Sequence, residues 1–235
     1  MQAPPALVIF ARAPVPGMTK TRLIPTLGPE GAAQLYRCFL LDVLTRAASA
    51  EETLLVAASE AAEVPALEAM IAEVCPGAAL FVQTGSDLGE RMLNALRRAF
   101  GCGYGRTVIL GSDVPSLPWD HVTQALHASR DLVLGPCLDG GYSLIGLREI
   151  YPRLFMGMRW STTSVCSHTL ARARGLGLSV SLLDPWYDVD TPDDLGTLFR
   201  HLTMLSLAGE EVPCPHTFRY LGEMQDGDWH VRAEL

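Results

Sequence analysis

The chain has 235 residues and a formal net charge of −8, with 49% hydrophobic and 19% charged residues and no block of like charges or low-complexity run. That composition excludes a disordered chain, and the acidic balance argues against nucleic acid as a partner, because phosphate-backbone binding depends on clustered Lys and Arg. The length suits one sizeable α/β core better than two small ones. Six cysteines (Cys38, Cys75, Cys102, Cys137, Cys166, Cys214) stand apart without a CxxC pair, so neither a disulfide framework nor a zinc cage is expected, and the setting is reducing. The opening "ALVIFA" is too short for a signal-peptide core, and no apolar run reaches membrane-spanning length. A cytoplasmic protein without a membrane span is expected.

In chain order, "ALVIFAR" (6–12) reads as a first strand, and a Pro- and Gly-containing loop, "APVPGMTKTRLIP", follows it. A helix is predicted over 29–48, strands at 53–59 and 79–83, and a helix at 64–74 between them. "SDLGERMLNALRRAF" (86–100) has helical apolar spacing, with Asp87 and Glu90 placed for a capping box. "TVILGSD" (107–113) is the fourth strand; Pro115 cannot continue its ladder, so Asp113 falls at or just past the carboxyl end. A helix near 118–128 precedes strands at 131–137 and 142–147, joined across "LDGG", and then come a helix over 162–174, a strand at 178–183 and a helix over 192–205. Residues 209–235 read as a loose tail.

Regular β/α alternation predicts one mostly parallel sheet with helices on both faces, and the LDGG junction breaks it. A nucleotide-binding half (about 1–117) then carries an acceptor half (about 118–208). With right-handed crossovers, strands one and four lie side by side, and ligands of open α/β sheets bind where their connections diverge. The loops that leave those two strands carry Lys20 and Arg22 on one side and Asp113 on the other.

Lys20 is the only lysine against 17 arginines, and the first 29 residues hold no acid while Arg12, Lys20 and Arg22 stand together. A small basic island in an acidic protein suits a small anion, and lysine offers a compact charge that the arginine fork does not duplicate. Asp113 is equally suited to closing an Asx turn, capping the next helix, or holding a ligand. In "YDVDTPDDL", Thr191 is a good N-cap, Pro192 fits the first helical position, and Asp193 and Asp194 suit the first turn. Asp188 and Asp190 are left over, facing the same side by alternation and inviting a cation. Asp139 is the nearest acid able to deprotonate an acceptor hydroxyl. Gly140 and Gly141 allow a tight turn or a close backbone approach to a ligand, Tyr142 could stack on a sugar or fill the core, and Trp160 and Trp186 suit the core or a lid.

The stretches "VIFARAPVPGMTKTRL", "QTGSDLGERM", "LGSDVPSLP", "LDGGYSLIGL", "WSTTSV" and "WYDVDTPDDL", in that order, resemble a bacterial family described as glycosyltransferases, or nucleotide-diphospho-sugar transferases, of the GT-A type. The resemblance spans about residues 6–205. It implies a single-domain GT-A-like three-layer α/β sandwich with a mostly parallel mixed sheet. The wider superfamily includes the phospholactate and molybdopterin guanylyltransferases, which share the early Lys and the Asp after strand four.

By that resemblance Asp113 is a divalent-metal ligand, Asp190, before Asp188, is a second metal contact, and Gly85, Ser86 and Arg91 contact a base or ribose. The expected cofactor is Mg²⁺ or Mn²⁺, which prefers one or two carboxylates plus substrate phosphates. The donor diphosphate would lie between Arg12, Gly17, Lys20, Arg22 and the metal, and the acceptor over Gly140, Gly141, Tyr142 and Trp160. Lys20, Asp113 and Asp139 are the expected catalytic residues. One departure bears on the donor: nucleotidyltransferases carry a Gly-rich loop after strand one, whereas this one has Gly17 alone and two prolines, Pro14 and Pro16, that lack amide donors. A nucleotide-diphospho-sugar donor and a small-molecule acceptor are therefore favoured over a triphosphate and a phosphorylated acceptor. A homodimer is compatible with this reading. Removing either metal carboxylate is expected to relieve repulsion and leave the metal-free protein at least as stable.

Overall fold

The computed structural model describes residues 3–50 and 52–225. Seven strands, β1 (Pro5–Ala11), β2 (Thr53–Ala58), β3 (Ala79–Val82), β4 (Arg106–Gly111), β5 (Leu132–Pro136), β6 (Tyr142–Leu147) and β7 (Val180–Leu182), form one sheet in the order β3-β2-β1-β4-β6-β5-β7. All pairs are parallel except those of β6, which runs antiparallel to both β4 and β5. The expected neighbours β1 and β4 do pair, and the LDGG junction is the hairpin that reverses the sheet.

The strands are apolar throughout because helices cover both faces. Along β1, Leu7 and Ile9 face one core and Ala6 and Val8 the other. On the first face lie α1 (Ile24–Ala48), α2 (Val64–Val74) and α4 (Trp119–His127), and on the second α3 (Leu88–Gly101) and α5 (Val165–Gly175). A third cluster joins the outer side of α1 to α6 (Pro192–Leu207) and α7 (Pro215–Gln225). Within α1, Gly28 at φ 70° and ψ 166° breaks the first turn, and the regular helix begins at Pro29, as the sequence predicts.

Two helix starts shape the site. Asp87 caps α3 by accepting from the Glu90 amide at 2.8 Å, but Glu90 reaches past the cap, to the amide and hydroxyl of Ser86, each at 2.8 Å. At α6 the capping box is complete, with Thr191 accepting from the Asp194 amide and Asp194 accepting from the amide and hydroxyl of Thr191.

The expected loose tail is, over Pro215–Gln225, a helix. Its start is held from afar: the buried Asp42 carboxylate accepts from the amides of His216 and Thr217, each at 2.9 Å, and from the Thr217 hydroxyl at 2.6 Å. The remainder of the tail, 226–235, lies outside the described residues. No helix among the described residues is long and apolar enough to cross a membrane.

Candidate active site

A cleft of about 570 Å³ opens at the carboxyl ends of β1 and β4. Lys20 comes from the loop after β1, with its backbone left-handed at φ 50° and ψ 47°. For a residue with a Cβ that conformation costs about 1–2 kcal/mol. The loop is pinned from inside, for the Thr19 hydroxyl donates to the Ala13 carbonyl and accepts from the Val15 amide, while the Met18 and Thr19 amides close on the Val15 carbonyl. Those three amides are not free to wrap a phosphate.

The Lys20 ammonium is enclosed by oxygen. It lies 2.5 Å from the Asp113 carboxylate, 2.8 Å from Asp190 Oδ1 and 2.7 Å from the Val189 carbonyl. The rings of Tyr36 and Phe39 stand about it, with centroids 6.0 and 5.7 Å away. The Lys20 side chain is only 5% exposed, against 47% for Asp113 and 39% for Asp190. Burial alone would depress the pKa of this ammonium, but the two carboxylates outweigh burial and raise it above the ordinary lysine value. The repulsion expected between Asp113 and Asp190 is therefore cancelled by Lys20, and removing either acid takes away a partner of a buried charge.

Asp113 stands two residues beyond the end of β4, where the apolar run ends. Its carboxylate does not cap α4, which begins after Pro118 without a side-chain cap. The Asp113 carbonyl accepts from the Val189 amide and so ties this loop to the segment bearing Asp190. Arg22, 71% exposed, adds a longer contact of 3.5 Å to Asp190 Oδ2. Arg12 and Arg91 also line the cleft, as do Tyr142, Ser59 and Gln83.

A second cavity of about 420 Å³ adjoins the first and shares Arg22 and Asp190 with it. Asp139 and Asp188 line it, and with the Cys137 sulfur their carboxylate oxygens lie within 4.8 Å of one another. Burial first, then the Asp139 and Asp190 carboxylates, push Asp188 up to about 6. Asp188 and Asp190 thus share a cavity, as alternation predicts, yet only Asp190 also reaches the larger cleft.

The structure sorts the remaining sequence candidates. Arg12, Lys20, Arg22, Arg91, Asp113, Tyr142 and Asp190 meet at the first cleft. Gly17, Gly85, Ser86, Gly140, Gly141 and Trp160 line neither cavity. Gly85, at φ 142°, presses against the first turn of α3, where a Cβ would stand 2.7 Å from the Arg91 amide nitrogen, and Ser86 is bound to Glu90. At Gly140 a Cβ would lie within 2.0 Å of the Thr163 carbonyl oxygen. Trp160 lies against the Gly89 backbone in the second core, so it packs α3 and does not line the second cavity. Tyr142 lines the first cleft, not the second cavity.

Sequence reasoning missed one buried pair at the cleft. The Tyr36 hydroxyl lies 2.7 Å from that of Ser112 and accepts from the Arg12 amide at 3.1 Å. Burial first, then the Asp113 charge, push the phenol up to about 12, so Tyr36 stays neutral. Nothing in the sequence separates Tyr36 from the apolar face of α1 around it.

No curated protein matches the chain. Among solved structures, a "putative nucleotide-diphospho-sugar transferase" from Desulfovibrio desulfuricans G20 is 36% identical, with a TM-score of 0.85 over 94% of this chain and 95% of that one. A cytidylyltransferase from Leptospira borgpetersenii serovar Hardjo-bovis shares the fold at 14% identity and a TM-score of 0.55, covering 96% of this chain and 95% of that one. A 4-diphosphocytidyl-2C-methyl-D-erythritol synthase from Anaerococcus prevotii does so at 8% identity and a TM-score of 0.59, covering 86% and 96%. The fold is that of nucleotide-diphospho-sugar transferases. Residues 40–162 match a family described as uncharacterized protein conserved in bacteria (DUF2064), and it is to this family that the chain belongs.

Proposed function

We propose that the protein is a nucleotide-dependent transferase that moves a sugar from a nucleotide-diphospho-sugar donor to a small-molecule acceptor. The observation that carries this reading is the Lys20, Asp113 and Asp190 assembly at the foot of the β1–β4 cleft, with Arg12, Arg22 and Arg91 on the walls. Beyond the compensated Lys20, three arginines converge there in a chain of net charge −8. Such a cleft selects an anion of diphosphate size. The 36% identical relative described as a nucleotide-diphospho-sugar transferase supports the same donor class.

The Asp113 and Asp190 carboxylates and the Val189 carbonyl form an all-oxygen donor set that already surrounds a cation, Lys20, and hard divalent ions favour such donors. Asp113 and Asp190 would hold Mg²⁺ or Mn²⁺, whose chemistry there is to neutralise charge on the departing diphosphate. Arg12, Arg22 and Arg91 bind and orient the donor, and Tyr36 with Ser112 fixes the wall behind Asp113. Fixed charges aimed at the leaving group are the main source of acceleration in such a site. The acceptor enters the adjoining cavity, where Asp139 or Asp188 takes the proton from its attacking hydroxyl.

Transfer of a nucleotidyl group to a phosphorylated acceptor is the other reading of this fold. Two observations favour sugar transfer. Among the residues lining the second cavity are four carboxylates, Asp139, Asp188, Asp190 and Asp194, against the single cation Arg22, a poor setting for a phosphorylated acceptor. The loop after β1 also uses the Val15, Met18 and Thr19 amides internally.

The test is a thermal-shift screen of nucleoside diphosphates, triphosphates and nucleotide sugars, each with and without Mn²⁺, because ligands of the native state raise apparent stability. Stabilisation by a nucleotide sugar or its diphosphate, with release of that diphosphate on turnover, is expected. Pyrophosphate release from a triphosphate establishes the nucleotidyl alternative instead, and no response to any nucleotide refutes both.

A further inference from the structure

The oxygen cage around the Lys20 ammonium has a consequence for the order in which ligands bind. An ammonium has three N–H groups, and here three acceptors, the Asp113 carboxylate, Asp190 Oδ1 and the Val189 carbonyl, take all of them at 2.5–2.8 Å. No donor is left to reach a phosphate in the cleft. The carboxylates that would hold a divalent ion are therefore already engaged by a cation of the chain itself.

We propose that Lys20 is a resident cation that holds the metal's place, so that a divalent ion enters between Asp113 and Asp190 only as an incoming diphosphate draws the ammonium away. A divalent ion bound by both carboxylates would stand close to a buried positive charge and be repelled by it. The ammonium, 5% exposed, is shielded from solvent where it lies, and leaving both carboxylates calls for a new anion. A diphosphate in the cleft supplies that anion, and the exposed faces of Asp113 and Asp190 are the side from which it arrives. Metal and diphosphate then bind cooperatively because each removes the obstacle to the other, and the coupling is reciprocal. The inference rests on the reading of Asp113 and Asp190 as metal ligands.

The experiment measures Mn²⁺ affinity by electron paramagnetic resonance of the free ion, for the wild-type chain and for Lys20→Met, in the absence of nucleotide and with ADP, CDP, GDP or UDP. Wild type should bind Mn²⁺ alone weakly, and Lys20→Met at least tenfold more tightly, with a Mn²⁺-dependent rise in melting temperature that wild type lacks. A diphosphate that binds should tighten Mn²⁺ more than tenfold in wild type and much less in the variant. Lys20→Gln, which keeps a donor for Asp113 and loses the charge, should behave as Lys20→Met and carries the comparison if the latter does not fold. Equal affinity of wild type and variant for Mn²⁺ alone overturns the proposal, as does wild-type affinity for Mn²⁺ that is the same with and without a bound diphosphate. That first comparison uses no nucleotide. It therefore stands apart from failure of the transferase reading, which would appear as no diphosphate bound with or without Mn²⁺.

Discussion

The cleft at Asp113 and the cavity at Asp188 each contain a carboxylate pair, Asp113 with Asp190 and Asp139 with Asp188, and only Asp188 and Asp190 share a chain segment, but the two pairs solve the electrostatic problem in opposite ways. Between Asp113 and Asp190 a lysine is inserted, and the raised Lys20 pKa reflects a favourable balance. Among the described residues no cation pairs with Asp139 or Asp188, and burial together with the Asp139 and Asp190 charges lifts Asp188 to about 6. On the proposed reading, the compensated pair exchanges one cation for another. An uncompensated pair is poised to take a proton. The seven residues from Asp188 to Asp194 divide this work, since Asp188 faces the second cavity, Asp190 joins the cleft, and Asp194 closes the capping box of α6.

The largest effect that would sharpen the contrast is on chemistry. Asp113→Asn should lower turnover, once a donor is found, by about 10²–10³, as loss of one group that stabilises transition-state charge does. Asp139→Asn should lower it less and in a pH-dependent way. If both substitutions give the same fall and the same pH profile, the two carboxylate pairs are not functionally distinct.

Next comes binding. Lys20→Ala should weaken a nucleoside diphosphate in the presence of Mn²⁺ by about 1.5–3 kcal/mol, the range for a lost charge-assisted contact. Calorimetry on the folded variant measures it, and unchanged affinity would remove Lys20 from the donor site. The structure also corrects the stability expected of Asp190→Asn: the substitution leaves the Lys20 ammonium with one carboxylate partner fewer, so the metal-free protein should melt below wild type.

Within the shared segment, Asp194→Ala should cost about 0.5–2 kcal/mol, since it removes the acceptor of the Thr191 amide and hydroxyl at the start of α6. Asp193→Asn, which disturbs only the helix dipole, should cost about 0.3–1 kcal/mol. Melting curves without metal rank the two. The reverse ranking would mean that the capping box contributes less than the dipole.

Much of this was legible in the chain. The placing of Asp113 beyond β4 follows from a doubly buried apolar run and a proline that cannot pair, both local signals, and the pairing of β1 with β4 follows from right-handed crossovers. Thr191, Pro192 and Asp194 were legible for the same reason. The Lys20 bridge was not, because its partner Asp190 is 170 residues away and only the closed sheet brings the two together. The helix α7 escaped notice because its N-terminal amides are capped by Asp42, which no local pattern connects to His216 and Thr217. Gly85, Gly140 and Trp160 fitted a ligand-binding pattern, yet each sits where one backbone packs closely against another element. A motif marks where an exacting residue is needed. It does not say whether the close neighbour is a ligand or the protein itself.

The smallest effect is the most diagnostic of the uncompensated pair. Asp188 carries a folded-state pKa of about 6, above the ordinary carboxyl value of 3.8, chiefly through burial and then through Asp139 and Asp190. The native state therefore holds this proton more tightly than the unfolded chain does, and stability falls as pH rises from about 4 to 6. Above that window the penalty is fully present, and below it the carboxyl is neutral in both states. Asp188→Asn removes the ionisation and keeps the shape, so its gain over wild type should be near zero at the acid end, grow through the window and level off. Because Asp188 is only partly buried, solvent screening reduces the gain to about 1 kcal/mol at neutral pH. Paired denaturant titrations across that pH range measure it. A gain independent of pH would show that Asp188 is ionised in the folded protein as readily as in the unfolded chain, and that its pair with Asp139 is no tighter than two solvated surface acids.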